Sequence, residues 1–180
     1  MKATGIVRRI DDLGRVVIPK EIRRTMRIRE GDPLEIYTDK DGGVIFKKYS
    51  LMGGVVDFAG QLCDTLNRTT GQVTVITDRD SCIASAGVPR RELMEKPISP
   101  QLERLMEGRQ IYQYKPGEPP VPLCADGEKF ALATAAPILS EGDVLGCVVF
   151  AGEAEGLSSG EVEYKLAQSI AAFLGRHMES

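Results

Sequence analysis

Short apolar runs and turn-forming residues alternate through the first 50 residues of the chain. The β-branched content of these runs predicts strands, whereas Pro19, followed by Ile22 and Met26 four residues apart, predicts one short helix. A charged turn should separate the first two strands, and residues 39–43 favour a hairpin turn between the last two. The expected elements are strands at residues 3–9, 16–18, 34–38 and 44–48 and a helix at residues 20–26.

Longer apolar patterns begin at residue 55. Helical spacing from Val55 to Leu66, and again through residues 158–178, predicts two amphipathic helices. Between them, apolar runs joined by polar turns predict two antiparallel strand pairs. The expected pairs are residues 72–77 with 81–86 and residues 129–138 with 144–151, and a short helix near residues 102–106 and a loop at residues 115–122 lie between the pairs.

The change of pattern indicates an α+β protein with two domains, residues 1–52 and 53–180. A unit of about 50 residues with four short strands and one short helix buries too little apolar surface to be secure alone. We therefore expect the first domain to form a dimer.

Charge is distributed unevenly between these domains. Residues 1–50 hold 12 Lys and Arg against 8 Asp and Glu, and the rest of the chain holds 11 against 18, so the net charge of −3 conceals a basic first domain and an acidic second one. A basic domain favours a polyanionic partner such as nucleic acid. From charge alone, a merely solvated basic face stays the alternative.

Metal and membrane sites are not indicated by the sequence. Cys63, Cys82, Cys124 and Cys147 are scattered, and the chain has a single histidine, so we expect reduced, mostly buried thiols and no metal site. No apolar run approaches the roughly 20 residues of a membrane-spanning helix, and charges interrupt the first 15 residues where a signal peptide needs an apolar core. The expectation is a cytoplasmic protein without membrane contact.

One pattern argues for catalysis, since residues 156–160 fit the Gly-x-Ser-x-Gly nucleophile elbow of serine hydrolases. A polar stretch separates this segment from the preceding strand, however, and at 1.5 Å per helical residue His177 would lie roughly 27 Å from Ser159. Ser158 with Glu161 fits a capping box instead, and His177 suits the C-terminal end of a helix dipole. We expect no catalytic residues and no enzymatic activity.

A distinctive run of residues in the first domain carries a family resemblance: Ala3-Thr4-Gly5-Ile6-Val7-Arg8, then Asp12-Leu13-Gly14-Arg15-Val16-Val17-Ile18-Pro19, then Glu21-Ile22-Arg23-Arg24. The match continues through residues 31–37 and 47–50. On these residues the domain resembles the AbrB-like transition-state regulators. The resemblance implies a dimeric swapped-hairpin β-barrel, in which two chains interleave their strands and present arginines to double-stranded DNA.

The resemblance also implies the DNA-contacting residues. These are Arg8, Arg15, Arg23 and Arg24, with Lys2, Arg9, Lys20 and Arg27 as weaker candidates for phosphate contacts. A planar guanidinium suits this role because it can grip a phosphate or a guanine edge with two hydrogen bonds. The alternative for Arg23 or Arg24 is that the side chain only caps or solvates the helix.

The second domain resembles a GAF domain in its order of elements, although no short motif within it is diagnostic. The resemblance implies a central antiparallel sheet with flanking helices, pairing through the terminal helices, and an unidentified small-molecule effector instead of a cofactor. The sequence of this domain marks no pocket residues. If both domains pair, and with different copies, the assembly is a homotetramer.

The expected function is therefore sequence-specific regulation of transcription at promoter DNA, as activator and repressor at different promoters. The resemblance places it in endospore formation in a Gram-positive bacterium, at the forespore nucleoid. One alternative is an antitoxin-like autoregulator, because antitoxins use the same swapped-hairpin fold, although they usually carry a short disordered tail. Another is a sensor module whose basic face binds acidic proteins.

Overall fold

The computed structural model of the protein describes residues 4–179, and of Glu128 it describes only the backbone. By their internal contacts these residues form two compact units that divide between Ser50 and Leu51. The expected division after residue 52 stays a prediction.

The first unit holds one short helix and one hairpin. Helix α1 is Lys20–Thr25, and strands β1, Leu34–Thr38, and β2, Val44–Lys48, pair antiparallel from Leu34 opposite Lys48 to Thr38 opposite Val44. The Asp39 carboxylate closes the turn, because its Oδ1 accepts hydrogen bonds from the backbone N–H groups of Asp41 (3.0 Å) and Gly43 (2.6 Å). The helix and the hairpin predicted from the sequence are confirmed.

The two strands expected before α1 are not formed in the single chain. Residues 4–18 contain no strand, so the predictions of strands at residues 3–9 and 16–18 are wrong for the single chain; Ala3 lies outside the described residues. The physical reason is that a strand needs a partner, and β1 and β2 pair only with each other. Among residues 4–50 only Pro19 is buried. This unit has no core of its own.

An antiparallel sheet of six strands forms the centre of the second unit. Its order is β4-β3-β8-β7-β5, and β6 pairs with β7 beside this path. The strands are β3, Val73–Asp78; β4, Cys82–Ala86; β5, Tyr112–Gln113; β6, Pro122–Cys124; β7, Gly127–Ser140; and β8, Asp143–Gly152. Both predicted strand pairs are confirmed, and β5 and β6 were not predicted.

Helices cover both faces of this sheet. A 3₁₀ turn, Leu51–Val55, leads into α2, Val56–Thr70, which packs with α5, Glu161–His177, on one face. Helices α3, Arg90–Leu93, and α4, Pro100–Glu107, pack on the other face. Neighbouring residues of β8 show the division, because Val148 and Phe150 join the first cluster and Val149 joins the second.

The start of α5 differs from its prediction. The helix begins at Glu161, and the carboxylate of Glu163 accepts a hydrogen bond from the backbone N–H of Gly160 at 2.9 Å. The predicted capping box of Ser158 and Glu161 is therefore wrong. The adjacent serine, Ser159, instead shares a hydrogen bond between its hydroxyl and that of Thr134 in β7, so the segment before α5 is tied to the sheet.

Candidate nucleic-acid interface

The loop of residues 11–15, here called the Asp11 loop, is closed at its base by the backbone. The N–H of Asp11 donates to the carbonyl of Arg15 at 3.1 Å, and the N–H of Gly14 donates to the carbonyl of Asp11 at 3.0 Å. Gly14 has φ +76°, a conformation that glycine adopts without a steric penalty. The sequence folds into a compact loop here because a turn-forming aspartate and a glycine stand three residues apart.

The Asp11 carboxylate completes this loop and holds one arginine. Oδ1 accepts hydrogen bonds from the backbone N–H groups of Leu13 (3.0 Å) and Arg15 (2.8 Å), and Oδ2 accepts one from Nε of the Arg15 side chain at 2.8 Å. The Arg15 side chain remains 70% exposed. Hydrogen bonds from the Arg15 backbone and side chain lower the pKa of Asp11, so the carboxylate stays charged at neutral pH.

Helix α1 carries a second pair of arginines. Arg23 and Arg24 lie in its last turn, and both side chains are exposed. The helix ends in a Schellman arrangement, since the N–H of Ile28 donates to the carbonyl of Arg23 (2.8 Å) and that of Arg27 to the carbonyl of Arg24 (3.3 Å). Arg27 adopts φ +51° to make this geometry. These backbone contacts satisfy the terminal carbonyls and leave the guanidinium groups available to a ligand.

The chain after α1 is fixed to the hairpin by Lys48. Its Nζ donates a hydrogen bond to the carbonyl of Arg27 at 2.8 Å and lies 3.7 Å from the Asp32 carboxylate. That carboxylate in turn accepts a hydrogen bond from the backbone N–H of Arg29 at 2.8 Å. One basic side chain of this domain therefore has a structural role, which the count of charges could not distinguish from a DNA contact.

The predicted DNA-contacting residues lie on the surface of the first unit. Arg8, Arg15, Arg23 and Arg24 are all exposed, as are Arg9, Lys20 and Arg27, and Lys2 lies outside the described residues. The structure places Arg23 beside Arg24 on α1 and Arg15 against Asp11, whereas Arg8 and Arg9 lie in the segment without regular structure. The roles of these residues in DNA binding stay predictions. Asp11 was not singled out from the sequence, although Asp-x-x-Gly-Arg is a recognisable turn pattern.

The second unit has a cleft of about 330 Å³ between α3 and the start of β7. Two ion pairs flank it, with Lys129 Nζ 2.7 Å from Glu92 and Lys96 Nζ 3.6 Å from Asp126. Beside the cleft, the Sγ atoms of Cys82 and Cys124 are 4.0 Å apart. All four cysteines are buried free thiols, as expected.

The serine segment has no histidine beside it in the described structure. The hydroxyl of Ser159 is hydrogen-bonded to that of Thr134. His177 lies at the other end of α5, where its ring stacks on Phe173 with centroids 6.1 Å apart and lies 5.5 Å from the ring of Phe58. Across residues 4–179 no cluster of three His, Cys, Asp or Glu is arranged to hold a metal ion. Nor does any helix within that range have the length and apolarity to cross a membrane.

Two family models match the chain. Residues 54–179 match the model described as "Stage V sporulation protein T C-terminal, transcription factor". Residues 7–51 match the model described as "Antidote-toxin recognition MazE, bacterial antitoxin".

The proteins that are similar in sequence include two of Bacillus subtilis (strain 168). The "Stage V sporulation protein T" is 48% identical over 179 residues, which cover 99% of each chain. The "Transition state regulatory protein AbrB" is 65% identical over 49 residues, which cover 27% of this chain and 50% of that protein. The first similarity extends through both units, and the second confirms the resemblance found for the first domain.

A solved structure resembles the larger part of the chain. The crystal structure of the GAF domain/HD domain protein from Geobacter sulfurreducens aligns with a TM-score of 0.51 at 18% identity, and it covers 69% of this chain and 91% of that one. At this identity the likeness concerns the fold alone. The expected GAF-like fold of the second domain is confirmed.

Proposed function

Because the chain belongs to the stage V sporulation protein T family, we propose that it is a sequence-specific, DNA-binding transcription regulator of endospore formation. It would recognise promoter DNA through its first domain and act in the forespore, as activator and repressor at different promoters. The observation that carries the proposal is the set of exposed arginines on a domain that is 65% identical to a stretch of the AbrB regulator. Membership of a transcription factor family also supports a regulator without enzymatic activity.

The state of the first domain supports its pairing with a second copy. Many of its large apolar side chains face solvent in the single chain, among them Val7 (85% exposed), Val17 (72%) and Ile36 (61%). Burying one such side chain fully stabilises a fold by about 1.5–3 kcal/mol. An isolated two-stranded hairpin is marginal in water. A swapped-hairpin dimer would supply both the missing partner strands for residues 4–18 and the missing core.

Two-fold pairing also gives a mechanism for DNA recognition. A dimer holds duplicate copies of Arg8, Arg15, Arg23 and Arg24, which would combine phosphate contacts that position the protein with base or shape readout that selects the site. Because many of these contacts are ionic, affinity should fall steeply as salt rises.

The second unit would control assembly. Pairing between GAF-like domains, together with pairing between first domains, would give the proposed tetramer. An unidentified small-molecule effector would act on this unit, and the 330 Å³ cleft lined by Arg91, Lys96 and Lys129 is a place where it could bind. The proposed tetramer and effector are separable from DNA binding, since neither is needed for the arginines to contact a duplex.

An antitoxin-like autoregulator is the second candidate, favoured by the match of residues 7–51 to an antitoxin model. The two hypotheses differ in the segment expected after the DNA-binding domain. An antitoxin usually carries a short disordered tail for its toxin, whereas this chain continues into an ordered sheet with helices on both faces. The ordered unit supports the regulator.

Fluorescence anisotropy with the full chain and labelled promoter duplexes tests the proposal across a salt series. The variant Arg23→Ala/Arg24→Ala should bind weakly, with a log Kd against log salt slope reduced by about 0.9 for each lost phosphate contact. The matched control is Arg104→Ala/Arg109→Ala, which removes two exposed arginines from α4 and the turn that follows it in the second unit. If folded wild-type protein binds no duplex above background at low salt, the regulator hypothesis is wrong and a sensor that binds acidic proteins takes its place.

A further inference from the structure

The contacts of Asp11 differ from those of its neighbour Asp12, although both carboxylates lie on the loop that carries Arg15. Asp11 accepts three hydrogen bonds, two from backbone N–H groups and one from Nε of Arg15. Asp12 is exposed and, within the described residues, has no hydrogen bond or ion pair. A carboxylate is unexpected on a loop whose partner should be a polyanion, because phosphates repel it. The hydrogen bonds of Asp11 indicate a reason for its presence there.

We propose that Asp11 is a positioning residue for DNA recognition, which fixes the guanidinium of Arg15 in the orientation that contacts the duplex. This inference rests on the proposed function, because it assigns to Asp11 a role that exists only if Arg15 contacts DNA. Asp11 itself need not touch the duplex.

The geometry of the guanidinium explains how this works. An arginine side chain has five N–H donors, one on Nε and four on the two Nη atoms. Asp11 takes the Nε–H at 2.8 Å and leaves the Nη groups unpaired in the described structure, on a side chain that is 70% exposed. The two Nη groups can then form the fork that grips a guanine edge or a phosphate with two hydrogen bonds.

Holding the side chain in advance should increase specificity. A free arginine samples many rotamers and can attach to any nearby phosphate, whereas a fixed one loses less conformational freedom on binding and meets only groups placed correctly for it. The same carboxylate also fixes the backbone through the N–H groups of Leu13 and Arg15. Both ends of the Arg15 side chain are thus set by Asp11.

Two hypotheses, that Asp11 acts only through its charge or that it positions Arg15, predict opposite changes in affinity for the recognised DNA when Asp11 is removed. If only charge matters, removing a carboxylate from the loop reduces repulsion and tightens binding to any DNA. If Asp11 positions Arg15, its removal weakens binding to the recognised sequence while binding to other DNA stays level or tightens. The variant Asp11→Asn is suited to the test, because its Oδ1 can still accept from the backbone but its amide nitrogen cannot accept from Nε of Arg15.

The experiment uses the full-length protein and two labelled duplexes. One is selected from a randomised library on the wild-type protein, and the other is a scrambled duplex of the same composition. Affinities for both are measured for Asp11→Asn, for the matched control Asp12→Asn, for Arg15→Ala and for the double variant Asp11→Asn/Arg15→Ala. Asp12→Asn removes the same charge from the same loop without removing a contact.

The expected result is that Asp11→Asn binds the selected duplex about tenfold more weakly, as for loss of one well-formed base contact. Its affinity for the scrambled duplex should change by less than about twofold or should rise. In the Arg15→Ala background the effect of Asp11→Asn on the selected duplex should disappear, because positioning acts only through Arg15. Asp12→Asn should bind both duplexes as well as the wild type or better.

A second measurement guards against a folding defect. In ¹⁵N–¹H NMR spectra of the full chain, the Nε–H signal of Arg15 should lose its hydrogen-bonded shift in Asp11→Asn, while backbone signals of β1 and β2 stay in place. A variant whose hairpin signals collapse loses affinity for a structural reason, and that result counts against the proposal.

The remaining outcomes are distinct. If Asp11→Asn behaves like Asp12→Asn, or weakens both duplexes equally, Asp11 does not position Arg15 for recognition and the inference is wrong while the regulator function stands. If the wild type enriches no sequence from the library, and Arg15→Ala binds DNA with the same affinity as the wild type, the proposed function fails and the inference fails with it.

Discussion

Gly175 allows a sharp prediction about how α5 packs on the sheet. A Cβ atom added at this position would lie 2.0 Å from the carbonyl oxygen of Leu139 in β7 and 3.1 Å from its carbonyl carbon. Both atoms belong to the backbone of a central strand, so neither can rotate away as a side chain would. Gly175→Ala must therefore push the last turn of α5 off the sheet by about 1.5 Å to reach an ordinary van der Waals contact.

The magnitude depends on two opposing effects. Alanine is favoured over glycine inside a helix by about 1 kcal/mol, and forcing extra volume into a close-packed site costs typically 1–3 kcal/mol, occasionally more. Because the contact is with backbone and Leu174 beside it is fully buried, we expect the cost to prevail. The net loss of unfolding free energy should be about 1–2 kcal/mol, or roughly 2–8 °C in Tm.

Gly60 supplies the control, since it lies within α2 and a Cβ there would meet nothing within 4 Å. Gly60→Ala should therefore stabilise the same unit by about 0.5–1 kcal/mol. Urea and thermal unfolding of the full chain, followed by far-UV circular dichroism, measure both variants. The packing argument is refuted if Gly175→Ala unfolds at or above the wild-type midpoint, or if both variants shift in the same direction.

Three further predictions concern single groups. Asp11 should titrate, by ¹³C carboxyl NMR, below the ordinary range of an aspartate, because Arg15 lowers its pKa; its contribution to stability is present above the unfolded-state pKa and is lost as pH falls through the folded one. Arg27→Gly should raise the free energy of unfolding of the first domain by about 0.5–1 kcal/mol, because glycine adopts the φ of +51° found at Arg27 without steric strain. An unchanged or lower unfolding midpoint would contradict this. In timed alkylation of native protein measured by mass spectrometry, Cys124 should react before Cys63, since a hydrogen bond from Cys82 lowers the pKa of Cys124 whereas burial raises that of Cys63 to about 12; equal rates would oppose it.

The longest elements that the sequence predicted share one property, which is an extended and locally recognisable pattern. The apolar runs of β7 and β8 and the apolar stripe of α5 extend over ten or more residues each, which is long enough for the period of a strand or a helix to be recognised. Strands β5 and β6, of two and three residues, are too short to carry any period. They exist because β7 offers them an edge, which is a property of the tertiary structure.

The errors before α1 have a different cause. Residues 4–18 have strand-like composition, but composition cannot say whether the partner strand lies in the same chain. In the single chain the described residues 4–18 form no strand, and apolar side chains such as Val7 and Val17 remain exposed. The family resemblance implies strands interleaved with those of a second copy, and that pairing stays a prediction.

The candidate site was only partly predictable. Four arginines could be named by resemblance, yet their environments could not, because a charge count treats Arg15, held by Asp11, and Lys48, tied to Arg27, as equivalent. The contact between Cys82 and Cys124 joins positions 42 residues apart and depends on how residues 95–98, whose backbone pairs with both β4 and β6, bring these strands together. Local patterns predict elements, whereas such pairs depend on how the elements come together.

The contrast between the two units bears on how the proposed regulator would be controlled. The second unit has two buried clusters on its sheet and can be stable in one copy, whereas the first buries only Pro19 among its described residues. When a domain gains its core by pairing, its folded fraction rises with protomer concentration, so its folding, pairing and DNA binding are thermodynamically linked. Pairing of the second units would raise the effective concentration of the first ones without any new contact to DNA. An effector that changed this pairing would therefore change promoter occupancy while leaving every arginine in place.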